Sequence, residues 1–143
     1  MKWLVLAIAA CASHPVNPLI GTLRSDTIQL VTYRPPGSTF AVLDRRVMIT
    51  GPADAKRLTE LGEVAILDQL VPLLDDPERA YAASAVLAQL TQHDEKTVEV
   101  YATDRAGWWT TFGPSARRTW QAFLDEHRGE LAWDPETHAF LAR

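Results

Sequence analysis

VAILDQLVPLLDDPERAYAASAVLAQLT, residues 64–91, decides the fold. Its first half sets Val64, Leu67, Leu70, Val71 and Leu74 at i, i+3, i+6, i+7 and i+10, the spacing of an amphipathic helix with a wide apolar face. Pro72 lies inside that run, where proline removes a backbone donor and costs ~3 kcal/mol, so a kink or a restarted helix is predicted there. Asp75-Asp76-Pro77-Glu78 then punctuates the chain: Asp76 is placed to cap, Pro77 to take the first helical position, and Glu78 to meet the positive end of the helix dipole. The second half, AYAASAVLAQL, is small and apolar on nearly every face. A helix of that kind must be packed on two sides, with Ala80, Ala83, Leu87 and Leu90 as its inner stripe.

Upstream, the period changes from about 3.6 to two. Pro52 suits the first position of a helix with Asp54 in its first turn, Leu58, Leu61 and Ala65 continue one face, and Gly62 marks a break. Before it, Thr27–Tyr33 (TIQLVTY) alternates and is rich in β-branched residues, Arg34-Pro35-Pro36-Gly37-Ser38 reads as a turn, and Thr39–Leu43 and Arg46–Thr50 offer further short strands. Downstream, Thr97–Thr103 and Trp108–Phe112 flank a turn at Asp104–Gly107, a predicted hairpin. Pro114 opens a helix whose face is Trp120, Phe123, Leu124 and His127, Gly129 ends it, and Asp134-Pro135-Glu136 starts a short terminal turn or helix. The expected class is α+β and helix-dominated: a small antiparallel N-terminal sheet, a helix pair, and an aromatic-rich C-terminal cap.

A helix ending in Leu-Leu-Asp-Asp, a tight turn and an alanine-rich helix with a leucine pattern resembles a HEAT-like repeat. The resemblance covers about 30 residues, or about 40 if residues 53–61 are the remnant of a preceding helix. No second copy follows at the repeat period, and stable solenoids need about three repeats, so one pair inside a mixed domain is expected. Helix pairs of this type resemble interaction scaffolds, which implies a protein partner.

The chain has 143 residues, with 18 acidic and 14 Lys or Arg side chains and a formal charge of −4. That length fits one domain of ordinary size. The charge offers no basic field for neutralising phosphates, so nucleic acid is not an expected partner. A hydrophobic fraction of 47% is too apolar for a disordered chain. One cysteine, Cys11, allows no internal disulfide.

Cys11 ends a stretch with the layout of an export signal: Met1 and Lys2 give a positive start, Trp3–Ala10 an apolar run, and Ala9-Ala10 the small residues that a signal peptidase accepts. The run is far shorter than the ~20 residues that span a bilayer. Ile8-Ala9-Ala10-Cys11 resembles the bacterial lipobox, in which the cysteine is diacylated and becomes the mature N-terminus. The resemblance implies lipidation at Cys11. With Ala12 and Ser13 rather than Asp following the cysteine, it also implies attachment at the periplasmic face of the outer membrane. Two acyl chains suffice for stable membrane attachment. The other reading of Cys11 is a small buried hydrophobe in an N-terminal strand or helix. The expected layout is a signal peptide over residues 1–10, a lipidated cysteine and linker over 11–26 around Pro15 and Pro18, and a single domain over 27–143. Within it, residues 27–50 are expected to be β-rich, 51–92 to form the HEAT-like helices, and 93–143 to form the hairpin and last helix.

Four of the five tryptophans fall between Trp108 and Trp133. Trp120 and Phe123 at helical spacing read as core, whereas adjacent Trp108 and Trp109 would point to opposite faces of a strand. Trp108 and Trp109 are therefore the candidate contacts for a partner, or for a cell-wall glycan or peptide. His93-Asp94-Glu95 and Asp125-Glu126-His127 gather ligand-type residues, and a metal-dependent hydrolase using His93 and Glu95 is a third possibility. A zinc site wants converging ligands at spacings such as HExxH, which are absent from the sequence, while a solvated loop and a helix end stabilised by His127 account for both groups. No metal, cofactor or catalytic residue is expected. A Gly-x-Ser-x-Gly elbow and a glycine-rich phosphate loop are both missing, and Arg117-Arg118 reads as a basic pair on an exposed face. The expected function is that of a non-catalytic envelope lipoprotein that holds or regulates a protein partner.

Overall fold

The computed structural model describes residues 15–30, 32–33, 36–37, 39, 42–43, 49–92, 101–102, 108–109 and 114–143. Residues 1–10, read as an export signal, and Cys11, His93 and Glu95 lie outside them. The fold is mixed helix and strand, broadly α+β.

Its centre is helix α4, Ala80–Thr91, defined below with its neighbours in chain order. Helix α1, Pro18–Thr22, precedes strands β1 (Gln29–Leu30), β2 (Thr32–Tyr33), β3 (Val42–Leu43) and β4 (Ile49–Gly51). Helix α2 covers Ala53–Leu58, and α3 covers Ala65–Leu70. After α4 come β5 (Tyr101–Ala102), β6 (Trp108–Trp109), helix α5 (Pro114–His127), and strands β7 (Leu131–Asp134) and β8 (Ala139–Ala142). In α4 all residues but Tyr81 are buried, including Ser84, Gln89 and Thr91. The reason is compositional: Ala82, Ala83, Ala85 and Ala88 carry side chains short enough for α2, α3, β4 and β8 to close on the helix from several sides.

The helix pair forms much as its spacing requires. At Pro72, which cannot donate to the residue four back, α3 gives way to a 3-10 helix over Val71–Asp75. Val71 and Leu74 stay in the core while Pro72 itself is exposed. Asp76 then holds the turn, its Oδ1 accepting the Glu78 N–H at 2.9 Å and its carbonyl the Ala80 N–H at 2.7 Å. Pro77 sits in that turn rather than in the first helical position, because α4 begins only at Ala80. Ser25 also reaches the helix start: its Oγ accepts the Ala82 N–H at 3.3 Å, one of the donors that a helix leaves unsatisfied.

Among the described residues of 27–50, the strands pair in two antiparallel ladders. β1 lies against β4 with Leu30 opposite Ile49, and β2 lies against β3 with Thr32 opposite Leu43. Helix α5 packs Trp120 and Leu124 into the core against α3 and the 3-10 segment, with Trp120 edge-on to Phe123 at 5.7 Å. Arg117 pairs with Asp75 and Arg128 with Asp68, one near each end of α5. These exposed pairs fix how α5 lies more than they stabilise it.

The linker expected through residue 26 is corrected: the chain is folded from Asn17 onward. Pro18 opens a helix, Asn17 caps it by accepting the Leu19 N–H, and Ile20 and Leu23 enter the core. At the C-terminus, of the expected turn or helix after Asp134 the structure has the turn, and it lies inside a hairpin: β7 and β8 pair antiparallel, with Trp133 opposite Phe140 and their rings 5.0 Å apart. With four residues on each side, the alternation was too short to read as strands.

Leu87 is 0% exposed at the middle of α4. Leu87→Ala is expected to lower the unfolding free energy by about 2–5 kcal/mol, through lost burial and the cavity left behind. Arg118→Ala, on the exposed side of α5, should change it by less than about 0.5 kcal/mol. Denaturant titration checks both, as a shifted midpoint at unchanged slope.

Candidate functional site

A cleft of about 520 Å³ opens between α2, the C-terminal half of α4 and the β7–β8 turn. Ile49 and Gln89 line its buried side. Lys56 of α2 and Thr59 and Glu60 just after it face Glu136, Thr137 and His138 of the turn across it. Gln89 is only 5% exposed, and its Oε1 accepts the Ile49 N–H at 2.9 Å, tying β4 to the central helix at the site. The amide is thus oriented by a backbone donor that would otherwise be left unpaired and buried.

The opposite wall is a rigid turn. Asp134 Oδ2 accepts the Thr137 hydroxyl proton at 2.6 Å, and Oδ1 accepts the Glu136 N–H at 3.3 Å. These bonds, the Thr137 hydroxyl foremost, hold the Asp134 carboxyl below the ordinary aspartate range. His138 follows with φ of 51°, a left-handed conformation that a residue with a Cβ adopts at a cost of ~1–2 kcal/mol. Its ring is stacked on Trp133 at 6.0 Å and 15°. Trp133 in turn rests on Gly62, whose φ is +65° and where an added Cβ would stand 3.0 Å from the indole. Gly62 is therefore needed twice, for the backbone angle and for the close approach of the ring. A strained residue held from several sides at the edge of a cleft is a common mark of a working site.

Lysine, carboxylates, hydroxyls, imidazole and a buried amide surround the cleft, so hydrogen-bond donors and acceptors of both charges are available to a molecule placed there. The Thr137 proton is committed to Asp134, whose depressed pKa makes that carboxylate an acceptor and a poor base. Among the described residues, no three His, Cys, Asp or Glu side chains converge as a metal ion would require. Glu126 and Glu130 flank His127 at 3.8 and 3.3 Å, while Asp125 accepts from Gln121.

The candidates read from sequence are distributed differently. Trp108 and Trp109 form β6, which pairs with β5 through Tyr101 opposite Trp109 and Ala102 opposite Trp108. Trp120 belongs to the core. Arg117, read as part of an exposed basic pair with Arg118, is engaged by Asp75. Cys11, His93 and Glu95 are outside the described residues. None of the cleft residues was singled out in the sequence; the one available signal was Gln89, the polar residue in an otherwise apolar AVLAQL. No protein-family model, curated protein or solved structure matches the chain. Among the described residues, no helix is long and apolar enough to cross a membrane.

The Asp134 shift has a testable sign. Because its folded pKa is lowered, its contribution to stability is complete above the unfolded pKa and is lost as pH falls through the folded value. A carboxyl-carbon NMR titration should place Asp134 below an ordinary aspartate, and Thr137→Val should move its midpoint upward.

Proposed function

We propose that this chain is a membrane-anchored bacterial envelope lipoprotein whose folded domain is a non-catalytic scaffold for a protein partner. The observation that carries the reading is Ile8-Ala9-Ala10-Cys11, a lipobox-like sequence behind a short apolar run, ending at the single cysteine of the chain. Diacylated Cys11 would be the anchor, at the periplasmic face of the outer membrane. Within the domain, α3, the 3-10 segment and α4 are the HEAT-like pair, and β5, β6, α5 and the last hairpin form its aromatic cap. In favour of that reading is the order of a broken leucine-rich helix, a turn held by Asp76, and a close-packed alanine-rich helix.

Intact mass of protein isolated from its native envelope tests the anchor. The expected species lacks residues 1–10 and carries lipid on Cys11, and an unmodified full-length chain would overturn the reading. Cys11→Ser should yield unacylated protein of unchanged thermal stability, whereas a large stability loss would identify Cys11 as a core thiol.

The cleft at His138 favours a second reading, a module that binds a cell-wall peptide. Charges of both signs around a buried amide fit a peptide better than a neutral glycan, for which the Trp108–Trp109 pair would be the alternative platform. Calorimetry with short cell-wall peptides should then show saturable binding that Lys56→Ala or His138→Ala weakens by about tenfold or more, corresponding to ~1.4 kcal/mol. Absence of saturable binding by the unaltered protein rules it out.

A further inference from the structure

The fold grips the chain very close to Cys11. Gln69 of α3 clasps the incoming backbone with both ends of its amide: Oε1 accepts the Asn17 N–H at 2.8 Å and Nε2 donates to the Pro15 carbonyl at 3.3 Å. Only residues 12–14 separate Cys11 from this clasp. Whatever their conformation, four residue steps span at most about 14 Å. That is little more than the ~10–12 Å diameter of one helix with its side chains. A domain tied to lipid through so short a tether has no freedom to turn its clasp away from the membrane.

The surface around the clasp suits that position. Of the large apolar side chains that the described residues expose, Val16 is the most open, at 70%, and it lies inside the clasp. Leu61 and Arg57 line a shallow pocket with Asn17, Pro18 and Leu19, which sets an exposed cation beside the clasp. Asp68, on the same helix as Gln69, is paired with Arg128. The surface is thus mixed in charge, and the tether rather than a basic field would hold it down.

We propose that the face bearing Pro15–Leu19, Arg57 and Leu61 lies flat against the phospholipid surface, held there by the short tether from Cys11. This rests on the lipoprotein reading above. It also gives the cleft a direction. Arg57 of α2 lies on the tether side, whereas Lys56, its neighbour on the helix, lines the cleft about 100° away, so the cleft is turned from lipid toward the aqueous phase.

The test uses the acylated mature protein, purified from its native envelope and reconstituted into vesicles of phosphatidylethanolamine and phosphatidylglycerol. Single cysteines introduced as Arg57→Cys or Thr137→Cys are labelled with an environment-sensitive fluorophore, and lipids spin-labelled near the headgroup serve as quenchers. Quenching several-fold stronger at position 57 than at 137 is the expected result. Equal quenching, or stronger quenching at 137, in protein whose mass shows the lipid overturns the docked face and leaves the anchor standing. A mass without lipid overturns both.

Discussion

Helix α4 has almost no side that water reaches, and the placement of the elements around it follows from covering it. An amphipathic helix can satisfy itself with one neighbour, but α4 carries alanine, valine and leucine all around its axis. Its small side chains offer little apolar area each, so burial is profitable only when several neighbours approach closely at once. That demand brings α3 and the 3-10 segment to one side, α2 and β4 to another, and β8 from the far end of the chain. The few polar groups on the helix are accommodated internally: Thr91 donates to the Leu87 carbonyl at 2.8 Å, and Gln89 accepts from Ile49. An unpaired polar group at either position would weaken the packing that surrounds it.

This constraint explains which parts of the fold were legible in sequence. The helix pair was readable because helical period, proline and an Asx-type turn all pointed to the same arrangement between residues 64 and 91. Proline at position 72 announced a break without saying which kind, and the outcome, a 3-10 segment, keeps both Val71 and Leu74 buried. Local signals failed where tertiary burial decided the outcome. Pro15 and Pro18 read as a tether, yet Ile20 and Leu23 are drawn into the core and their segment becomes helical. Leu131–Asp134 and Ala139–Ala142 are too short to declare a period, and their pairing rests on Phe140 and Trp133 meeting the core.

The cleft was less legible still, for a geometric reason. Its residues come from positions 49, 56, 59, 60, 89 and 136–138, and only packing around α4 brings them together. The left-handed conformation of His138 has no local sequence mark, since no glycine or asparagine stands there. It is maintained by what surrounds it: the Asp134–Thr137 bond before it, the indole of Trp133 beside its ring, and Gly62 behind that indole. Tryptophan position alone was a poor guide, because Trp120 is wholly core while Trp133, the least conspicuous of the cluster in sequence, supports the cleft.

Helix α2 stands between the two surfaces for which roles are proposed, and its six residues are enough to separate them. Ala55 and Leu58 bury toward the core, Arg57 faces the segment gripped by Gln69, and Lys56 contributes to the cleft. Successive residues on a helix diverge by about 100°, so neighbouring side chains serve different surfaces without any longer insertion. On the proposed lipoprotein reading, attachment and recognition would thereby be divided within a small domain. The clasp at Pro15–Asn17 would take up the constraint from the tether and the β7–β8 turn would hold the recognition groups, while the buried helix beneath both would keep their relation fixed.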